Sequence, residues 1–100
     1  MPSASIHQAG ERIEVRGALN SHTARELFEQ TPPALTMSPQ PSPSPTIIDL
    51  AAVREADSAG LALLVHWSNL AQARGGARFA NAPAQLRRLA EITGLAEMFD

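Results

Sequence analysis

The alternation of apolar and polar residues marks out the elements of this chain. In Arg12-Ile13-Glu14-Val15-Arg16, charged and apolar residues alternate strictly. Ile13 and Val15 then share one face of an extended segment, with Arg12, Glu14 and Arg16 on the other: the period-2 signature of a half-buried strand. Ser5-Ile6-His7 precedes it across the turn residues Ala9-Gly10, so the two runs predict a hairpin ended by Gly17. Thr23 to Gln30 predicts a short helix, with Ser21 as N-cap and Leu27 and Phe28 as apolar contacts. Thr31-Pro32-Pro33 stops it, because proline cannot continue the hydrogen-bond ladder. Thr46-Ile47-Ile48-Asp49-Leu50 is a β-branched apolar run, too short for a buried helix and suited to a central strand. Ala51 to Asp57 reads as a connection. A long helix follows from about Ala59 to Arg74, ended by Gly75-Gly76. Ala77 to Ala80 is a further strand. Pro83 stands where a helix starts and its missing N–H costs nothing. That helix covers Ala84 to Thr93, with Leu86, Leu89, Ala90 and Ile92 as its apolar side, and Gly94 closes it. Leu95 to Phe99 forms a last helical turn that plugs the core.

The order is β-β-α-β-α-β-α. Strands alternating with helices predict an α/β fold, a mixed β-sheet of about four strands with three main helices packed against it. With 100 residues, 44% of them apolar, the chain suits one domain, residues 1–100, with its own core. Six of the eight prolines fall in residues 31–45, which predicts an exposed loop, partly polyproline II. A ligand for another domain and a tolerated insertion both remain open for it.

Composition narrows the chemistry. With no cysteine there is no disulfide and no thiolate metal site. A net charge of −2 supplies no basic field for nucleic acid. All eight positive residues are arginine, so lysine chemistry and a Walker-type phosphate loop are excluded. Met1 to Gly10 lacks the basic start and apolar run of a secretory signal. No segment has the ~20 apolar residues that cross a bilayer. The expectation is a soluble, cytoplasmic protein that meets a membrane only through a partner.

The helix after Ser58 carries the strongest functional signal. At about 100° per residue, Leu61, Leu64, Val65 and Ala71 fall on one side and Leu63, Trp67 and Leu70 on a neighbouring side. Together they span roughly 220°, whereas a helix resting on a sheet needs a stripe little wider than ~100°. Ala62, His66, Asn69 and Ala73 lie opposite. The surplus belongs to adjacent helices and internal core, or to another protein. Ser58 is expected to cap the helix, with Asp57 sharing the task or favouring the positive end of the dipole. Gly60, in the first helical turn, suggests close approach of another backbone, internal or from a partner.

These residues resemble the STAS domain family. The resemblance is carried by Thr46-Ile47-Ile48-Asp49-Leu50, Val53, Asp57-Ser58-Ala59-Gly60-Leu61, Ala71 to Gly76 and Leu89-Ala90-Glu91-Ile92-Thr93-Gly94-Leu95. It covers residues 46 to 99 well and the N-terminal third by pattern. The stretch Ala59-Gly60-Leu61-Ala62-Leu63-Leu64-Val65-His66, and an ending at Asp100, look most like the MlaB branch. That branch comprises cytoplasmic subunits of a phospholipid ABC transporter maintaining outer-membrane lipid asymmetry. The resemblance implies a partner ATPase subunit and, through it, a membrane permease, with the protein peripheral to the inner membrane. It implies Ser58, Ala59, Ala62, Leu63, His66 and Trp67 as partner contacts, with Asp57 and Gly60 shaping the turn. The alternative is an anti-sigma-factor antagonist, in which a serine kinase phosphorylates Ser58.

No catalytic, metal or cofactor site is expected. His7, His22 and His66 are scattered and lack ligand spacing. Ser58 lacks a Gly-x-Ser-x-Gly elbow. Asp49, Glu55 and Asp57 are explained as strand-end and cap residues. Arg87-Arg88 reads as a solvated helix face or as a contact for an anionic partner.

Overall fold

The computed structural model describes residues 4–10, 12–31, 46–72 and 76–99. Strands β1 (Ala4–Ala9) and β2 (Arg12–Leu19) form the expected antiparallel hairpin. Helix α1 (Ala24–Glu29), strand β3 (Thr46–Ala56), helix α2 (Ser58–Gln72), strand β4 (Ala77–Ala80) and helix α3 (Ala84–Ile92) follow, then a 3-10 turn over Ala96–Phe99. The sheet order is β1-β2-β3-β4, with β2/β3 and β3/β4 parallel. Both parallel connections step the same way across the sheet. The right-handed crossover rule therefore sets α1 and α2 on one face, the mixed four-stranded, three-helix architecture expected. Residues 32–45 of the proline-rich loop, and residues 73–75, where the sequence placed the end of the long helix, lie outside the described residues.

The core forms between the sheet and that helical layer. Ile13 and Val15 of β2 and Ile48 and Leu50 of β3 meet Leu61, Leu64 and Trp67 of α2 and Leu86 and Ala90 of α3. Each such large side chain contributes roughly 1.5–3 kcal/mol when fully buried. Phe99 plugs the end of the core as expected, edge-on to Phe79 with ring centroids 5.5 Å apart.

Several expected boundaries shift, each for a tertiary reason. Gly17 does not end β2. It takes φ 94°, open to glycine, and a register shift there lets the strand bend and run on to Leu19. Ala51 to Ala56 is strand rather than connection, because this longer β2 supplies its partner. Ser21 does not cap α1. Thr23 precedes the helix, its hydroxyl accepting from Asn20 N at 3.1 Å and donating to Ala18 O at 2.8 Å. Leu27 is buried, but Phe28 is 51% exposed. Ile92 is 75% exposed, since Leu86, Leu89 and Ala90 already form the inward stripe of α3. After α3, Gly94 N and Leu95 N return to Glu91 O and Ala90 O, the paired bonds of a Schellman ending.

On the face away from the helices, the Asp49 carboxylate of β3 ties together β2 and the residue that follows β4. It accepts from Arg12 Nη2 at 2.6 Å, Ala51 N at 2.9 Å and Asn81 Nδ2 at 3.1 Å. The Ala51 amide and then Asn81 hold its pKa below the ordinary carboxylate value; burial pushes it the other way, and Arg12 adds to the lowering.

Candidate functional site

The turn from β3 into α2 is organised by Asp57. Its N–H donates to Leu19 O at 3.1 Å, fixing the end of β3 to the end of β2. Its Oδ1 accepts from Ala59 N at 2.9 Å and Gly60 N at 3.2 Å, and its Oδ2 accepts from Ser21 N at 3.1 Å. Asp57 is thus the N-cap of α2, and the expectation that Ser58 caps is corrected. Ser58 is already the first helical residue, and it is exposed. A cap of this kind stabilises by about 1 kcal/mol; this one also anchors the β2–α1 loop.

Gly60 allows α2 to pass over the end of β2. A Cβ at this position would overlap the Leu19 carbonyl oxygen and stand 2.7 Å from the carbonyl carbon. The close neighbour inferred from the sequence is therefore internal.

Beyond this turn, α2 divides its residues between core and surface. Trp67 is fully buried and Leu63 is 5% exposed, so the expectation of Trp67 as a partner contact is corrected. The indole packs internally, and Nε1 donates to Thr31 Oγ1 at 3.1 Å. Leu63 floors a groove between α1 and α2 of about 360 Å³, walled by Ala24, Arg25, Phe28, Ala59, Ala62 and His66. The Phe28 and His66 rings lie 4.9 Å apart. A second groove, about 290 Å³, runs on the other flank of α2 between Ser58, Leu61, Ala62, Val65, Thr93 and Leu95. The two grooves meet at Ala62, which is exposed. Ser58, Ala59, Ala62 and His66 thus line these two adjoining grooves. Phe28, Val65, Thr93 and Leu95 were not anticipated. Phe28 was detectable in part, four residues beyond Ala24 on the same face of a short helix.

A polar cleft of about 320 Å³ lies below, lined by Asn20, Ser21, His22, Glu55, Ala56, Asp57 and Gln85. Its polar groups bind one another: Asn20 Nδ2 donates to Glu55 Oε1 at 2.6 Å, and the Ala56 backbone N–H donates to Gln85 Oε1 at 3.1 Å. Among the described residues, no three His, Cys, Asp or Glu side chains are grouped to hold a metal ion. None of the described helices is long and apolar enough to cross a membrane.

The family model described as "Mlab, STAS domain" matches residues 3–100. The chain belongs to the STAS family. STAS domains are typically regulatory or interaction domains. Solved structures with the same fold include the anti-sigma factor antagonist SpoIIAA in its unphosphorylated form, 16% identical with TM-score 0.72, covering 98% of this chain and 86% of that one. The phosphorylated form of the Bacillus cell fate determinant SpoIIAA is 17% identical with TM-score 0.68, covering 98% and 89%. An anti-sigma factor antagonist from Mycobacterium paratuberculosis is 23% identical with TM-score 0.73, covering 99% and 83%. At these identities the likeness is one of fold. No curated protein matches the chain. In this STAS domain the two grooves flank α2 from Ser58 to His66.

Proposed function

We propose that this STAS domain is a non-catalytic subunit that binds and regulates or stabilises the ATPase of a phospholipid ABC transporter. In this reading it stays on the cytoplasmic side, reaches the membrane only through that ATPase and its permease, and serves outer-membrane lipid asymmetry. The family description supports the assignment. The observation that carries the contact surface is the pair of apolar grooves meeting at exposed Ala62. Small residues at Ala59 and Ala62 let a partner helix approach the α2 backbone, while Phe28 and Val65 flank it with apolar area. Ser58, Ala59, Ala62 and His66 touch the partner; Leu63 and Trp67 support them from beneath. A partner that binds one ATPase conformation better shifts the population toward it.

The test is affinity purification of the tagged protein from its native cell, with mass spectrometry of what is retained. An ABC-type ATPase with a membrane permease is expected. Recovery of neither refutes the reading.

One observation favours a second reading, an anti-sigma-factor antagonist switched at Ser58. Ser58 is exposed at the start of α2, and proteins of similar fold carry that function. A phosphate there adds about −1.5 to −2 charges. It would find the Ala59 and Gly60 amides already occupied by Asp57 and a like charge beside it. Its effect would then be to repel a docked partner. Recovery of a serine kinase or anti-sigma factor, with phosphoserine at Ser58, would select this reading.

A further inference from the structure

Helix α1 forms one wall of the groove described above, yet little local structure holds it. It has six residues, no side-chain hydrogen bond at its N-cap, and an exposed Arg25–Glu29 pair at 3.6 Å. Helices this short are marginal without tertiary anchors. Leu27, buried in the core, is one anchor. Thr31 is the other. It precedes Pro32, where helical backbone is disfavoured, so α1 must end beside it.

The Thr31 hydroxyl is used in both directions. Oγ1 accepts from Trp67 Nε1 at 3.1 Å and donates to Phe28 O at 2.6 Å. Trp67 is fully buried, so its indole N–H has no water to turn to if this acceptor is lost. Phe28 in turn sets its ring against His66, the residue before Trp67. Trp67, Thr31, Phe28 and His66 therefore close a ring of contacts between the core side of α2 and the wall of the groove.

We propose that Thr31 is the positioning residue of the α1–α2 groove: its hydroxyl fixes the end of α1 against Trp67 and so sets where the Phe28 ring stands. Trp67, the single tryptophan of the chain, then reports the state of that wall from inside the core. The effect on partner binding rests on the function proposed above; the positioning is read on the isolated chain.

Thr31→Val keeps the side-chain shape and removes both hydrogen bonds, whereas Thr31→Ser keeps the hydroxyl. By amide hydrogen exchange of the full chain, Thr31→Val should accelerate Leu27, Gln30 and Thr31 about tenfold, the size expected for losing the part-buried bond to Trp67. It should leave the β3 amides unchanged and shift the tryptophan emission. Thr31→Ser should restore both readouts. Trp67→Phe, which removes the donor, should loosen the same α1 amides, and combining it with Thr31→Val should add little. Unchanged exchange in α1, or acceleration equal in α1 and β3, would overturn the proposal and leave Thr31 a general stability residue. In pull-downs, Thr31→Val should retain less partner than Thr31→Ser; equal retention would overturn the link to the groove. If the wild-type chain retains no partner, the proposed function fails while the exchange result still decides the role of Thr31.

Discussion

Replacing Gly60 with alanine sets two effects of known size against each other. In a helix interior, alanine is favoured over glycine by about 1 kcal/mol, so propensity alone predicts stabilisation. The packing predicts the reverse. The added Cβ would overlap the Leu19 carbonyl oxygen and stand 2.7 Å from both the carbonyl carbon and Cγ of Leu19. Leu19 cannot retreat, because it is fully buried and its carbonyl accepts from Asp57 N. Helix α2 must instead lift by on the order of 1 Å from a close-packed layer. Overpacking costs about 1–3 kcal/mol, and weakening the Asp57–Leu19 bond about 1 more. The net expectation is a loss of about 2 kcal/mol, a fall in midpoint of about 8–16 °C for a domain of this size. The assay is thermal unfolding followed by far-UV circular dichroism, with Ala62→Gly as reference. Ala62 is exposed on the same helix, so that change isolates the propensity cost of about 1 kcal/mol. A Gly60→Ala protein that melts at or above wild type would refute the close-approach argument.

Asp57→Ala removes the acceptor of three backbone N–H groups and should destabilise by about 2 kcal/mol, whereas Asp57→Asn, which keeps one oxygen for the cap, should cost less than half of that; equal losses in chemical denaturation would show that the carboxylate geometry is irrelevant. Asp49 has a folded-state pKa below its unfolded value of about 3.9, so the folded state binds fewer protons. Its stabilisation is complete above about pH 4 and is lost as pH falls through the lower folded value. The difference in melting temperature between wild type and Asp49→Asn should therefore be constant near neutrality and shrink below about pH 4; a gap that persists at about pH 2 would exclude this linkage. Ala62→Glu introduces a charge where the two grooves meet. It should leave the melting temperature within the change of about 0.5 kcal/mol usual for surface positions while abolishing partner retention, and retention at wild-type level would remove this surface from the contact.

Elements with their own periodicity were legible in the sequence. Strict alternation in Arg12 to Arg16 and the β-branched run Thr46 to Leu50 identified β2 and β3, and the glycine and proline punctuation located α2 and α3. What escaped was decided by partners remote in sequence. Ala51 to Ala56 has weak strand character and becomes strand because β2 continues past Gly17 to pair with it. Ser21, Thr23, Asp57 and Ser58 are all chemically competent caps, and the choice among them depends on where Leu19 and Asp57 meet. The same limit applies to the site. Periodicity found the wide apolar arc of α2 but could not divide it into the part that Thr31 and the core enclose and the part left open.

That division bears on function. Of the large apolar residues of α2, Leu61, Leu63, Leu64 and Trp67 are consumed by the core, and Val65 and Leu70 are half-buried. The surface between the grooves is therefore made of Ser58, Ala59 and Ala62, with almost no side chain of its own. Such a surface contributes little area unless another chain brings side chains into the grooves beside it. Affinity would then come mainly from the partner's apolar groups, while discrimination would come from the shape that Gly60, Asp57 and Thr31 impose. Gly60 sets the height of α2 over β2, Asp57 fixes its first turn, and Thr31 holds the wall opposite. A negative charge at Ser58 would alter none of these three supports directly. It would act at the rim, where it meets the partner and the Asp57 carboxylate together, so a transporter subunit and a phosphorylation switch could use the same scaffold and differ only in what approaches it.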